Sequence, residues 1–295
     1  MRPMPAVVCA TDLSEGSNKA IPLAAYIAQK YHSKLVVAHI IDLPAVTPYG
    51  ETMVDPQELR ARVEQSAKAM VSDILAHLED LDWELQISIG YPAKEIQQIV
   101  QDVGAGLLVA ATHIRSGIER LLLGSVSRKL MFTLTVPFLM VPGSQPTERS
   151  ALHAVESLMI ACDFSEDSEA AIEWGLDFAR AFEVPLTLAT VIEQGQLDQI
   201  LTIDPQKEHA VANRLVDDLT RKLQSKIPED LQSEAKVVIL AGHPHEELNK
   251  HAILNHIDLI VMGVHGRGFI ENIMVGSTTD RLVRLGQFPV LAVHP

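Results

Sequence analysis

An internal repeat constrains the fold of this 295-residue chain more than any other feature of its sequence. Segment 9–43 matches segment 160–193 at an offset of about 151 residues, and segment 90–141 matches segment 242–293 at an offset of about 152. Because the offset barely changes along one half, the chain is interpreted as a duplicated domain of about 145 residues and not as a solenoid of short repeats. The identical pairs include Asp12 and Asp163, Ser14 and Ser165, His113 and His265, Gly124 and Gly276, and Ser125 and Ser277.

Both halves alternate short apolar runs with helical patterns in the same order. In the second half the apolar runs cover 157–162, 186–192, 235–240, 259–264 and 289–293. Runs that are continuously apolar are typical of parallel strands that are covered on both faces. Five strand and helix alternations per half therefore predict an α/β fold made of two tandem, doubly wound parallel-sheet domains. We predict one domain over 1–143, a polar linker over 144–155 and a second domain over 156–295.

Composition narrows the functional classes. The chain has 24 Lys and Arg against 38 Asp and Glu, a formal net charge of −14, which argues against a nucleic-acid partner because phosphates require cationic side chains. The absence of a run of 18 apolar residues or of a leader pattern predicts no membrane span and no secretion signal. Cys9 and Cys162 lie in apolar runs and are expected to be buried thiols, as in a cytoplasmic protein.

Glycines are concentrated in one loop of the second half, after the fourth apolar run. Gly263, Gly266 and Gly268 precede Gly276 and Ser277, which open the next predicted helix. Glycines let backbone amides turn toward an anion, and the helix N-terminus favours a phosphate. The pattern predicts a phosphate-binding loop, although a plain tight turn followed by a Ser or Thr cap would use the same residues.

The spacing Gly263-x2-Gly266-x9-Gly276-Ser277 resembles the nucleotide-binding signature of the universal stress protein family. Asp163 at the end of the first strand and the last strand, Pro289–Val293, resemble that family's pattern too. The resemblance covers both halves, so the chain looks like a tandem member of the family. It implies Rossmann-like domains of the adenine nucleotide alpha hydrolase type, which associate through their terminal strands into an intramolecular pseudo-dimer, with further pairing of two chains open.

The resemblance also implies a site for ATP, or for AMP or ADP, with Mg²⁺ as an open addition. Ala161 and Asp163 would lie by the adenine and ribose, and Val191 would contact the base through its backbone. The residues implied around the ribose and first phosphates are Met262, Gly263, His265, Gly266 and Arg267. The residues implied at the distal phosphates are Gly276, Ser277, Thr278 and Thr279. Asp163 has an alternative role as a helix cap, and His265 as a loop histidine bonded to the backbone.

The first half departs from this pattern in its own loop. Ala111 replaces Gly263 and Ile114 replaces Gly266, although Asp12, Gly124 and Ser125 remain. A β-branched residue is unfavourable wherever φ must be positive, and its bulk would block an approaching phosphate. We expect the first half to bind nucleotide weakly or not at all, with adaptation to another ligand as the alternative.

Other chemical signals are weaker. His243 and His245 with Glu246 and Glu247 suggest part of a metal site, but no further ligand has suitable spacing, and the carboxylates suit the start of a helix. The sequence has neither a P-loop motif nor a Gly-x-Ser-x-Gly elbow. No metal ligand and no dedicated catalytic residue is predicted.

Together with these observations, the resemblance implies a stress-response regulator whose second half binds ATP, with slow hydrolysis at most. Binding would order the 263–276 loop and so shift the protein's interactions. Two alternatives stay open at this point: an interaction or small-ligand carrier protein with a vestigial nucleotide site, and a weak ATPase.

Overall fold

The computed structural model describes residues 2–42, 56–112, 124–143, 155–193, 195, 208–266 and 276–295. Contacts divide the chain into two compact units, one formed mainly by residues 2–154 and the other mainly by residues 155–295. Within each unit neighbouring strands are parallel, and helices lie between successive strands. The predicted α/β class, built from two tandem doubly wound halves, is confirmed.

The first unit has five strands: β1 (Ala6–Thr11), β2 (Lys34–Ile41), β3 (Trp83–Ile89), β4 (Ala105–Thr112) and β5 (Phe138–Pro142). Their order in the sheet is β3-β2-β1-β4-β5, and each neighbouring pair is parallel. Its helices are α1 (Glu15–Asn18), α2 (Ala20–Tyr31), α3 (Pro56–Leu75), α4 (Pro92–Asp102) and α5 (Ser125–Thr133). Every residue of β1 is buried, as expected for a central strand covered on both faces.

The second unit repeats this arrangement with β6 (Leu158–Ala161), β7 (Leu186–Ile192), β8 (Ala235–Ala241), β9 (Leu259–Gly263) and β10 (Val290–Val293). The order is β8-β7-β6-β9-β10, and every neighbouring pair is again parallel. Its helices are α6 (Glu166–Phe182), α7 (Glu208–Gln224), α8 (Pro244–Leu254) and α9 (Ser277–Leu285), with a 3-10 turn at Glu229–Leu231.

The strand order of the second unit shows where the connections change from one side of the first strand to the other. Leu158 of β6 is paired with Leu186 of β7 on one side and with Leu259 of β9 on the other. The connections that follow β6 and β9 therefore leave the sheet in opposite senses. In an open α/β sheet, this switch point leaves a crevice at the carboxyl ends of the strands, which is where ligands bind.

The turn after the first strand is built alike in both units. Ser165 is the N-cap of α6 and accepts a hydrogen bond from the Ser168 N–H, and Ser14 does the same for Ser17 at α1. The residues before these caps, Phe164 and Leu13, have φ values of 62° and 67°. Left-handed backbone is rare for such side chains and is tolerated where the surrounding structure holds it, as in these two turns.

Candidate functional site

A cavity of about 200 Å³ lies in the second unit at the carboxyl ends of β6, β7 and β9. It is the crevice that the strand order leaves open, and the start of α9 closes one side. The residues proposed from the sequence that line it are Ala161, Asp163, Val191, Met262, Gly263, His265, Gly266, Gly276, Ser277, Thr278 and Thr279. The remaining one, Arg267, lies outside the described residues.

Asp163 stands at the entrance to α6 but does not cap it. Its Oδ1 accepts hydrogen bonds from the Ser165 N–H at 3.0 Å and from the Ser165 hydroxyl at 2.5 Å. The cap itself is Ser165, so the alternative in which Asp163 caps the helix directly is wrong. The other carboxylate oxygen, Oδ2, lies 2.8 Å from the position that a Cβ on Gly266 would occupy. The carboxylate is therefore fixed at one oxygen and lies against the glycine loop at the other.

The glycines of this loop are required for space. A Cβ on Gly263 would lie 2.6 Å from the Cβ of Asp167, and one on Gly276 would lie 2.9 Å from the Val264 carbonyl oxygen. Neither these two glycines nor Gly266 has a φ in the left-handed region. Of the two reasons given for glycine in the sequence analysis, positive φ does not apply at these positions, and the lack of room for a side chain does. The elements approach one another so closely that no side chain fits between them.

His265 is held by a carboxylate that the sequence analysis did not include in the site. Its backbone N–H donates to Asp167 Oδ2 at 2.9 Å, and its Nδ1 lies 3.0 Å from the same oxygen. The imidazole thus contacts a side chain, Asp167, a partner that the alternative of a histidine bonded to the backbone did not include. Residues 167 and 265 are too far apart in the chain for spacing to reveal the pair. One signal was available, because Gly16 and Ala111 stand at the equivalent positions of Asp167 and Gly263 in the first half.

The hydroxyl groups at the start of α9 have different roles. Thr279 is 1% exposed, and its hydroxyl donates to the Gly263 carbonyl oxygen at 2.9 Å. A threonine hydroxyl has one proton to donate, so Thr279 joins α9 to the end of β9. The Gly276 N–H makes a parallel link to the Val264 carbonyl oxygen at 2.8 Å. Ser277 is exposed and Thr278 half-buried, which leaves these two hydroxyls accessible.

The cavity lining also contains residues that were not predicted from the sequence. Leu219 of α7 and Leu248 of α8 contribute apolar surface, and Thr190 and Ile192 of β7 lie beside Val191. Cys162 also lines the cavity, and burial raises the pKa of its thiol. Leu219 and Leu248 come from helices distant in the chain, so only the packed fold reveals them, whereas Cys162, Thr190 and Ile192 are sequence neighbours of residues already named. An apolar slot with a few polar groups is typical of a small-molecule site.

The charges around the cavity are mainly acidic. Asp163 and Glu193 line it, whereas no Lys or Arg does so within the part of the chain that the structure describes. For an anionic ligand, the attractive groups in that part are the amides and the positive end of the α9 dipole. The lining therefore suits a ligand with an apolar part, which Leu219 and Leu248 can cover, and an anionic part at the start of α9.

The first-half counterpart is described only in part. Ala111 lies near the end of β4, where it is buried, and Gly124 is the N-cap of α5. His113, Ile114 and Arg115 lie outside the described residues, so the expected loss of nucleotide binding in this half stays a prediction. None of the helices in the described ranges combines the length and the apolar composition that crossing a bilayer requires.

Comparison with known proteins identifies the family. A universal stress protein from Mycolicibacterium smegmatis is 27% identical over 297 residues, which cover 98% of this chain and 97% of that protein. Universal stress protein MJ0577 from Methanocaldococcus jannaschii is 27% identical over 152 residues, 47% of this chain and 94% of that protein. The crystal structure of a universal stress protein from Archaeoglobus fulgidus superposes with a TM-score of 0.69 at 20% identity and 98% coverage of both chains.

One further solved relative is a universal stress protein in complex with cAMP; it is 24% identical, with a TM-score of 0.36, and covers 48% of this chain and all of that one. The family model for the Universal stress protein family matches residues 4–142 and again residues 155–294. The chain therefore belongs to the universal stress protein family, as a tandem member with two copies of the domain.

Proposed function

We propose that the second half of this protein binds ATP in the cavity at the ends of β6, β7 and β9, as a regulatory ligand that is hydrolysed slowly at most. Adenine nucleotides are ligands of the universal stress protein family, as the cAMP complex of one member illustrates. The observation that carries the proposal for this chain is the convergence of Asp163, the 263–266 turn and the start of α9 on one cavity.

Each part of the nucleotide has a matching part of the wall. The adenine lies against the apolar surface of Leu219 and Leu248, next to the backbone of Val191, because a planar aromatic ring buries well there. The Asp163 carboxylate accepts hydrogen bonds from the ribose hydroxyls. The phosphates approach Gly266 and the start of α9, where the hydroxyls of Ser277 and Thr278 donate and the helix dipole is favourable.

The negative charge of the site favours a divalent cation that binds together with ATP. ATP brings several negative charges to a wall that already carries Asp163 and Glu193. These negative charges repel one another in a partly buried site, so Mg²⁺ bound to the phosphates strengthens the binding of ATP. Arg267, which lies outside the described residues, belongs to the proposed phosphate contacts.

Regulation by the nucleotide requires that ATP binds one conformation better than another. The loop between Gly263 and Gly276 is the proposed responsive element, because the residues at both of its ends line the cavity. Association of the two halves through their terminal strands, pairing of two chains and a cytoplasmic location remain part of the proposal. The location is supported by Cys9 and Cys162, which are both buried free thiols.

The test is to denature the purified protein and to identify and count the nucleotide that is released. One adenine nucleotide per chain supports one working and one degenerate site, and intact ATP argues against fast hydrolysis. Two per chain would contradict the degenerate first half. If none is released, titration with ATP and Mg²⁺ decides, and no binding there would overturn the proposal.

The matched variant is Gly266→Ile, which introduces the residue of the first half into the second. A side chain at this position meets Asp163 Oδ2, so the variant is expected to lose the nucleotide. The converse change in the first half, Ile114→Gly, is expected to leave the nucleotide of the second half in place.

A further inference from the structure

The second unit contains a cluster of possible metal ligands beside the nucleotide cavity. Asp167, His265 and His294 each offer one ligand atom, and these atoms lie within 4.8 Å of one another. They come from the first turn of α6, from the loop after β9 and from the residue after β10. We propose that these three side chains form a site for a Zn²⁺ ion, with its fourth position open to water.

The strand register explains how the two histidines meet. Val293 of β10 is paired with Gly263 of β9, and the Val264 N–H donates to the Val293 carbonyl oxygen at 2.9 Å. Residues 264 and 294 are therefore neighbours across the two strand ends, and the rings of His265 and His294 have centroids 5.8 Å apart. Two adjacent parallel strands thus deliver both imidazoles to one point at the same edge of the sheet.

The third ligand comes from the helix above these strands. α6 contacts both β9 and β10, and Gly263 lets its first turn approach so closely that the carboxylate reaches the loop. Asp167 Oδ2 lies 3.0 Å from His265 Nδ1 and accepts the His265 backbone N–H at 2.9 Å. That backbone bond orients the carboxylate independently of the ring. Carboxylate ligands are commonly held in this way by a neighbouring group.

The donor set and its spacing suit Zn²⁺. Two imidazoles and one carboxylate with an open fourth position are a usual zinc ligand set, at about 2.0–2.2 Å from the metal. Tetrahedral ligands at this distance lie roughly 3.3 Å apart, so the 3.0 Å between Oδ2 and Nδ1 is already close to the required edge. The ligand atoms that lie farthest apart are within 4.8 Å of each other, and a modest side-chain rotation brings them to the tetrahedral distance. Mg²⁺ prefers an all-oxygen octahedron, which disfavours it here.

The duplication shows that the cluster is particular to one half. The first half keeps a histidine at 113, but Gly16 stands at the position of Asp167 and Pro142 at that of His294. Two of the three ligands are therefore unique to the second half, where Gly263 gives Asp167 its room. The repeated scaffold by itself needs neither of them, which is consistent with an added function.

The site is tested on the full-length protein in the absence of nucleotide, so the result does not depend on the proposed ATP site. The protein is treated with a chelator and titrated with Zn²⁺ against a chromogenic zinc indicator. We expect one tight equivalent per chain and, with Co²⁺ in its place, a tetrahedral visible spectrum that Zn²⁺ abolishes. Wild-type protein that shows no tight equivalent would overturn the proposal.

His294→Gln separates this site from adventitious binding. His294 is not a lining residue of the nucleotide cavity, so its loss should weaken Zn²⁺ binding at least about 100-fold while ATP affinity is unchanged. Asp167→Asn, which keeps an acceptor for the His265 N–H, should weaken Zn²⁺ binding as well. The control is the double variant His243→Gln and His245→Gln, which removes the other histidine pair. Tight binding that survives His294→Gln, or that is lost in the control, would contradict the assignment.

Discussion

A Cβ atom on Gly263 would lie 2.6 Å from the Cβ of Asp167. The absence of a side chain at the end of β9 therefore allows the first turn of α6 to approach, and this approach brings the Asp167 carboxylate to His265. In the first half the two positions hold Ala111 and Gly16, which is the opposite distribution of side chains. A Cβ on Gly16 would meet the Gly143 carbonyl oxygen at 3.2 Å and not Ala111, so the collision between these two positions is specific to the second half.

Gly263→Ala is expected to lower the free energy of unfolding by about 1–3 kcal/mol, because the added methyl group has to displace α6. The loss should be smaller in an Asp167→Gly background, where the 2.6 Å contact with the Asp167 Cβ no longer exists and only the backbone contacts at 2.9 and 3.1 Å remain. The two changes together reproduce the first-half combination. Urea denaturation of the wild type, both single variants and the double variant measures the coupling as a double-mutant cycle. Strict additivity would contradict the steric interpretation.

Asp163→Ala is expected to weaken ATP binding by about tenfold to a hundredfold, the usual worth of a hydrogen bond to a charged group. Isothermal titration with ATP and Mg²⁺ measures the change. The matched control is Asp12→Ala, since Asp12 Oδ1 accepts the Ser14 N–H in the same turn of the first half. Both variants lose a similar local bond, so an equal loss of ATP affinity would show that the effect is structural.

Gly276→Ala is expected to reduce ATP affinity about tenfold, because its methyl group would lie 2.9 Å from the Val264 carbonyl oxygen and push α9 from the end of β9. Gly124 holds the equivalent position in the first half, and none of the described atoms lies within 4 Å of a Cβ built there. Gly124→Ala is therefore the control. Equal affinities of the two variants for ATP, measured by titration, would refute the prediction.

Alkaline pH should destabilise the protein partly through Cys9. Burial raises the pKa of this thiol from 9.0 to about 12, so the folded chain keeps a proton that the unfolded chain releases. The stabilisation is complete below pH 9 and is lost as the pH rises toward 12. Between pH 8 and pH 10 the wild type should lose about 1.4 kcal/mol more unfolding free energy than Cys9→Ala. Urea denaturation at both pH values tests this, and parallel losses would exclude it.

Cys162 provides a probe of the cavity, because it lines the wall and is only 3% exposed. Burial raises the pKa of its thiol, so alkylation should be slow at neutral pH and should accelerate as the pH rises. Saturating ATP is expected to slow it further by filling the cavity. Peptide mapping by mass spectrometry follows the reaction, with buried Cys9 as the internal reference. Labelling of Cys162 that ATP leaves unchanged would argue against a ligand in this cavity.

By itself the sequence determined that the domain is duplicated, that its strands are parallel and doubly wound, and at which edge of the strands the site lies. The continuous apolar runs become parallel strands, and helices lie between them in both halves. Parallel strands bring all their carboxyl ends to one edge, so residues after β6, β7 and β9 had to converge, and they line one cavity. These features follow from local periodicity and from topology, both of which are written along the chain.

Only the tertiary structure decided how close the elements approach. Backbone freedom and the bulk of a side chain are both reasons for glycine that can be given from the sequence, but only the structure shows that packing distances of 2.6–2.9 Å exclude a side chain at 263 and 276. The same close approach pairs Asp167 with His265, sets His294 beside them and commits the Thr279 hydroxyl to Gly263. Such contacts join residues from separate elements, and their distances depend on the packing of whole helices against the sheet. No spacing within the sequence carries that information.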